Sequence, residues 1–529
     1  MKQLQSYLAG QWVTGTGAAT PLVDPTTEEV LAEVAPRGFD LGGALAHARS
    51  KGVPALQELS FAGRGALLMA ASKALHAKRD ELLELSTRSG GNTRGDAKFD
   101  VDGAIGTLAF YAKLGESLGD ARFLVDGEGV QLGRTSRYWG EHVRVPRRGV
   151  AVHVNAFNFP AWGLAEKAAV ALLAGMPVLS KPATATVLLA HRIGAVLTEA
   201  KVFPEGAFAL LCGSAADLLD HMGPQDVLAF TGSSDTAAAL RTHDAVVRRG
   251  VRLNVEADSL NAAVLGRDVE EGSETFDLFV NDVIQDMTQK AGQKCTAIRR
   301  IMVPEASLGA AREALVERLR ETRTGAPTLR EVKVGPLATA AQRDDVMGGV
   351  ERLRQVTEVL VGDGKRGALT GIEGDKGFFV SPTLLLAKDA RTAAVHDREV
   401  FGPVATLMPY SGDPAEAAEL VGLGQGGLVA SVYSDAPEVV GGAVLGMAPY
   451  NGRINVGSAK VAEHSLGPDA VLPQLLHGGP GRAGGGEELG GVRGLTFYMQ
   501  RTALQGYRPL LDKLTAGGRR LGAPGPDPS

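Results

Sequence analysis

Between Gly149 and Glu256 the chain alternates short β-rich runs with helical stretches, and no other feature constrains its fold as strongly. Val150–Ala156 reads as a strand, Ala161–Leu173 as a helix, Val178–Ser180 as a buried strand and Thr186–Ala200 as a second helix. Strands at Ala207–Leu211, Val227–Phe230 and Val251–Val255 follow, separated by helices over Ala215–His221 and from Asp235 to Arg241. Strands that recur with helices between them pair in parallel, so this stretch predicts a doubly wound sheet.

A second alternation starts with the strand AAVLG after Asn261 and predicts another α/β core. Helices are expected over Glu274–Lys290, Leu308–Arg323 and Pro414–Val421, and strands at Arg300–Val303, Glu358–Val361 and Leu428–Val432. Ahead of the first core, Arg64–Ser89 and Gly103–Gly115 read as helices that cover its sheet. Glu128–Arg148, with Tyr138, Trp139 and several arginines, reads as an extended edge ribbon. Residues 478–491 hold eight glycines in fourteen positions, but the strand-like Gly494–Leu504 that follows favours a docked loop over a free linker. The terminal GGRRLGAPGPDPS is expected to be disordered.

A chain of 529 residues, 44% hydrophobic, has ample apolar surface for two cores of this kind. Lys+Arg 55 against Asp+Glu 60 gives a net charge of −5 without a basic stripe, so a nucleic-acid partner is not expected. The N-terminus lacks a signal-peptide core, and no run approaches the roughly 18 apolar residues of a membrane span, so a cytoplasmic location is the expectation. Two cysteines, Cys212 and Cys295, cannot build a multi-cysteine metal centre, and the ten histidines show no ligand spacing. No metal is expected.

Two matches to the dinucleotide pattern G-x-G-x-x-G occur, at Gly362–Gly367 and Gly479–Gly484, and both fail on context. The first leads into a strand-like FFVSPTLL instead of a helix, and the second lies in a glycine tract without a βαβ unit. P-loop, zincin and G-x-S-x-G signatures are absent from the sequence.

Cys295, in KAGQKCTAIRR, falls in a loop between the long helix and an apolar strand. Lys290, Lys294, Arg299 and Arg300 around it would favour the thiolate, and Gly292 would permit close backbone approach. Cys212 ends the apolar strand FALLC and reads as a buried hydrophobe. Glu256 ends the strand VRLNVE at the sheet edge where α/β proteins hold ligands, although a solvated strand-end charge is the plainer alternative. Asn158, in HVNAFNFPAWG, follows a strand and precedes a helix, where an N-cap role is equally reasonable.

Taken together, AFNFP (156–160), SKPA (180–183), FTGS (230–233), Glu256 after its strand, GQKC (292–295) and EVFGPV (399–404) resemble the aldehyde dehydrogenase superfamily, in order and at family-like separations. The resemblance implies two doubly wound parallel-sheet α/β domains and a small oligomerisation ribbon. The cofactor-binding domain would comprise residues 1–127 and 149–255 and the catalytic domain 256–462. Residues 128–148 and 463–510 would be oligomerisation segments of a homodimer or dimer-based assembly, and 511–529 a disordered tail. It further implies Cys295 as nucleophile, Asn158 as oxyanion donor and Glu256 as base. Lys181 would reach the adenosine ribose, Gly232 and Ser233 the pyrophosphate, Glu399 the nicotinamide ribose, and Phe401 the nicotinamide. Thr184 stands where members that prefer NAD commonly carry a glutamate, so the expected cofactor is NADP, with NAD the other dinucleotide.

The phrases VAVHVNAFNFP, EADSLN, AGQKCTAIRRI, FGPVATLMP and HGGPGRAGGGEELGG look like the aldehyde dehydrogenase half of PaaZ-type phenylacetate-degradation proteins and like BoxD-type CoA-semialdehyde dehydrogenases. That likeness implies a small-molecule aldehyde substrate that is CoA-linked, from aromatic catabolism, oxidised to the acid. A CoA-acylating enzyme and a catalytically silent member of the fold are the alternatives. The superfamily's usual Glu-Leu-Gly-Gly-Lys is replaced by Glu256-Ala257-Asp258-Ser259-Leu260, which alters the wall beside the nicotinamide. PaaZ-type proteins continue into a MaoC-type hydratase domain, whereas this sequence ends in a Pro/Gly tail, so a separate hydratase partner would supply the ring-opening step.

Overall fold

A computed structural model of the chain describes residues 3–522. The first alternation folds into a sheet whose parallel strands run in the order Arg252–Glu256, Val227–Thr231, Ala151–Val154, Val178–Lys181, Phe208–Leu210. Ala151–Val154 is flanked by the strand that follows it and by the fourth of the series. The winding direction therefore reverses there, and a crevice opens beyond the carboxyl ends of these strands.

The sheet reaches nine strands because the N-terminal strands Gln3–Leu8, Gln11–Thr14, Thr20–Val23 and Val30–Val34 extend it beyond Phe208–Leu210. Sequence patterning passed over these strands, which mix polar and apolar residues and bury one face only. The helix expected over Arg64–Ser89 is two, Phe61–His76 and Arg79–Gly90, and the one expected at Gly103–Gly115 runs from Arg94 to Leu118. Trp162–Ala174, buried on every side, packs between that long helix and the sheet, which explains its run of alanines and leucines.

The second core is a seven-stranded sheet in the order Glu358–Val361, Thr383–Leu386, Val404–Tyr410, Arg300–Pro304, Ala262–Leu265, Gly427–Tyr433, Asn451–Gly457. All neighbours are parallel except the first pair. Tyr138–Pro146 forms the predicted ribbon by pairing antiparallel with Met499–Tyr507 across nine residues. The strand expected over Gly494–Leu504 starts later, because Val492–Tyr498 is helical.

Part of the C-terminal stretch expected to be disordered is built into this small sheet. Helix Arg508–Thr515 precedes strand Arg519–Arg520, which pairs with Leu124–Val125. Arg520 anchors it, donating to Glu141 at 3.0 Å and to the Gly127 carbonyl at 2.6 Å. Such tertiary partners are invisible in a Gly- and Pro-rich composition. Residues 523–529 lie outside the described residues. Among the described residues no helix is long and apolar enough to cross a membrane.

Candidate active site

All nine residues singled out in the sequence line one cleft of about 730 Å³ between the two cores: Asn158, Lys181, Thr184, Gly232, Ser233, Glu256, Cys295, Glu399 and Phe401. Strand ends deliver four of them. Lys181 closes Val178–Lys181, Gly232 and Ser233 follow Val227–Thr231, and Glu256 closes Arg252–Glu256. Ser233 also caps the helix Ser234–Thr242.

Cys295 is presented by a sharp reversal after the helix Glu274–Thr288, in which Lys290, Ala291 and Gly292 all have positive φ, at 53°, 51° and 68°. A Cβ at Gly292 would lie 2.2 Å from the Gly402 carbonyl oxygen, so glycine is required there. Asn158, buried, donates to the Gln293 carbonyl at 3.0 Å. That bond ties the loop before the helix Trp162–Ala174 to the loop carrying Cys295.

The cations near Cys295 do not create a thiolate, contrary to the sequence expectation, because each is spent on another partner. Lys294 is buried between Asp286 at 2.8 Å and Asp469 at 2.7 Å. Lys290 binds Asn92 at 3.0 Å, Arg299 pairs with Glu399 at 3.1 Å, and Arg300 donates to backbone carbonyls and contacts His396. The Cys295 thiol is instead pushed well above its ordinary value, first by burial and then by the carboxylate of Glu256. Cys212 is fully buried and its thiol is pushed up to about 12 by burial, in keeping with an inert hydrophobe.

His477, which sequence reading did not select, sits over both reacting groups. Its Nε2 lies 3.2 Å from Glu256 Oε1 and 3.7 Å from Cys295 Sγ. Burial works to push the carboxyl of Glu256 up, but the charge of His477 and its contact outweigh burial and hold the carboxyl at about 2. Reciprocally, burial acts against the charge on His477, and Glu256 reverses that and raises it above 6.5.

His477 belongs to the short hairpin Leu476–Gly478 and Glu487–Leu489, whose glycine-rich turn docks on the strand ending at Glu256. Ala257 donates to the Ala483 carbonyl at 3.0 Å and Gly486 to that of Val255 at 3.0 Å. A Cβ at Gly484 would lie 2.3 Å from the Val255 carbonyl oxygen, so the turn is glycine-rich in order to approach the strand. The glycine tract was the available signal, and it marked the loop without singling out the histidine.

Behind Glu256 lies a second unforeseen group. Lys167, buried on the helix Trp162–Ala174, pairs with Glu166 at 3.0 Å and with Glu488 at 2.9 Å. Burial pushes the carboxyl of Glu488 up to about 7 despite Lys167. Glu166, Glu256 and Glu488 each place an oxygen within 4.8 Å of the others.

Glu399 is held by Arg299 and by the Ser259 N–H at 3.1 Å, and burial raises it to about 7. Ser259 belongs to the departing segment 256–260, but its contact with Glu399 is made by the backbone and does not depend on the serine side chain. Phe401 meets Phe157 edge-on at 5.8 Å.

Cys295, Glu256 and Asn158 also line a narrow tunnel of about 40 Å³ walled by Phe99, Phe159, Trp162 and Val471. The nucleophile therefore stands between a broad cleft and an aromatic tunnel.

The model of the aldehyde dehydrogenase family matches residues 12–504. The chain is 47% identical over 479 residues to a 3,4-dehydroadipyl-CoA semialdehyde dehydrogenase of Aromatoleum evansii, covering 90% of this chain and 93% of that one. It is 43% identical over 183 residues to Protein MaoC of Klebsiella aerogenes, covering 34% of this chain and 52% of that protein. Among solved structures, a 3,6-anhydro-L-galactose dehydrogenase superposes with a TM-score of 0.83 at 22% identity, covering 95% and 100% of the two chains. PnpE in complex with nicotinamide adenine dinucleotide superposes with a TM-score of 0.81 at 25% identity, covering 95% and 97%.

Proposed function

Because the chain belongs to the aldehyde dehydrogenase family, we propose that it oxidises a CoA-linked semialdehyde from aromatic degradation to the carboxylic acid, with NADP preferred over NAD. The carrying observation is the nucleophile Cys295 standing between tunnel and cleft, together with a relative at 47% identity whose name specifies a CoA semialdehyde.

The cleft fits a dinucleotide. Lys181 and Thr184 line its outer end, Ser233 and the start of the helix Ser234–Thr242 its middle, and Glu399 and Phe401 its inner end beside Cys295. When bound, the nicotinamide supplies the hydride acceptor. The outer pocket around Lys181 and Thr184 is lined without a carboxylate, which favours a 2′-phosphate there.

The Cys295 sulfur, its thiol proton released to solvent through the cleft, adds to the aldehyde carbon to give a tetrahedral thiohemiacetal. The Asn158 amide, a neutral donor, stabilises its oxyanion; removing one such donor typically costs about 10²–10³ in rate. Loss of hydride leaves a thioester on Cys295, which water discharges with Glu256 as general base.

A carboxyl held at about 2 is a weak base, so Glu256 must part from His477 before this second step. Burial, the largest influence on Glu256, then acts to raise it against the remaining pull of Lys167. A proton collected there has an onward acceptor in Glu488 beyond Lys167.

The test is Glu256→Gln followed by rapid mixing with substrate and NADP. A burst of reduced cofactor without turnover is the expected outcome, and ordinary turnover would move the base elsewhere. Acid forming without added CoA is expected in the unaltered enzyme. A strict need for free CoA, with a thioester as product, would favour the acylating alternative.

A further inference from the structure

Beside the tunnel lies a groove of about 910 Å³ that the chemistry above does not use. Its walls are the N-terminal turn of the helix Arg94–Leu118, the outer side of Glu274–Thr288, the end of Leu308–Glu321 and the loop 322–333. Six cations from these separate elements converge on it: Arg94, Lys98, Arg318, Arg323, Arg330 and Lys333. They face three carboxylates, and one of these, Asp96, is turned inward to cap its own helix. On a chain of net charge −5 this is a local excess of the opposite sign.

Little in the fold neutralises these cations. Arg94 makes a long contact of 3.7 Å to Asp80, and Arg318 donates to the neutral Asn281. Among the described residues no ion pair engages Lys98, Arg323, Arg330 or Lys333.

Groove and tunnel share a wall. Phe99 lines the tunnel while Lys98, beside it on the same helix, lines the groove. Lys290 lies over the tunnel's Phe159 at 4.7 Å, and its N–H donates to the groove's Asp96 at 2.9 Å. A Cβ at Gly467 would lie 2.8 Å from the tunnel's Asp469 and 3.7 Å from the groove's Gln285.

From this adjacency we infer that the groove binds the 3′-phosphate and pyrophosphate of a coenzyme A thioester, whose acyl chain passes from it into the tunnel and presents its aldehyde to Cys295. The inference rests on the reading of the substrate as CoA-linked. Several negative charges on a flexible ligand call for converging cations, and exposed ones suffice because charge-assisted phosphate contacts remain strong in partly solvated sites. The dinucleotide cleft opens on another side of Cys295, so both ligands bind together.

Coenzyme A binding to the full chain at saturating NADP, measured by calorimetry, tests this directly. Arg323→Glu/Lys333→Glu and, on another element, Arg94→Glu/Lys98→Glu should each weaken binding about tenfold or more, and dephospho-coenzyme A should bind several-fold more weakly than coenzyme A. The ratio of kcat/KM for a CoA-linked semialdehyde to that for an unlinked one should fall by the same factor in both variants. Binding that is absent, displaced by NADP, or unchanged in both variants overturns the groove. If the unaltered enzyme prefers the CoA-linked substrate and the variants keep that preference, the groove fails while the substrate reading stands. If the variants lose coenzyme A binding but the unaltered enzyme shows no preference, the groove stands and the substrate reading fails.

Discussion

His477 and Glu256 form a buried ion pair at 3.2 Å directly over the nucleophile, and each shifts the other in the direction that favours charge. The pair thereby sets which form of Glu256 meets the substrate. His477→Gln removes the positive partner, so burial dominates and the carboxyl rises from about 2. The acid limb of the kcat profile should move to higher pH in the variant. An unmoved limb would separate His477 from the base.

The same pair predicts a pH window for stability. Glu256 is depressed below 4.5, so its contribution is full above that value and fades as pH falls toward 2. His477 is raised above 6.5, so its contribution is full below that value and is lost as pH rises through the folded-state value. The stability difference between the unaltered protein and His477→Gln should therefore be largest between pH 4.5 and 6.5, at about 3 kcal/mol, and smaller at pH 9. Denaturant titrations at pH 5.5 and 9 would check this, and a difference that grows with pH would contradict it.

The two cysteines should separate cleanly. Cys295→Ser should abolish dehydrogenase activity with little change in Tm, since a hydroxyl is a far weaker nucleophile. Cys212→Ser should retain activity and lose about 1–2 kcal/mol of stability, because it buries a hydroxyl at a position that is 0% exposed. A thiol reagent should label Cys295, which is partly exposed, and leave Cys212 unmodified in the native protein. Equal activity losses in the two variants would point to a structural effect.

Cofactor choice turns on Thr184, which lines the outer pocket with Lys181. Steady-state constants should favour NADP over NAD by about tenfold or more, the worth of one charge-assisted contact. Thr184→Glu should move the preference toward NAD, because its carboxylate repels a 2′-phosphate and accepts from a ribose hydroxyl. Equal or better kcat/KM with NAD in the unaltered enzyme would refute the assignment.

Assembly is expected through the ribbon. Met499–Tyr507 is an edge strand of its sheet, paired on one side with Tyr138–Pro146. Leu510 and Leu514 on the adjoining helix are 55% and 58% exposed. An open edge beside exposed leucines suits a second copy of the chain. Sedimentation at micromolar concentration should show a dimer or a multiple of it, and Leu510→Asp/Leu514→Asp should shift it toward monomer. A monomeric unaltered protein would rule out this role.

The sequence by itself determined the parallel sheets, because buried central strands are written as short apolar runs with helices between them. It also pointed to Glu256, since a residue at the carboxyl end of such a strand faces the crevice where the winding reverses. Lys181 and Gly232 came only from the resemblance of their motifs to the aldehyde dehydrogenase family. The N-terminal strands escaped because a half-buried edge carries little apolar signal, and 511–522 because its order comes from contacts such as Arg520 with Glu141.

Tertiary structure alone decided the electrostatics of the site. From sequence, Lys290, Lys294, Arg299 and Arg300 looked like a field that would ionise Cys295. Folding pairs Lys294 with Asp286 and Asp469 and Arg299 with Glu399, and gives the thiol a carboxylate neighbour instead. It likewise carries His477, 182 positions away in the chain, to 3.7 Å from Cys295. Charge acts through distance in space and through burial, and neither is encoded in the spacing of residues along the chain.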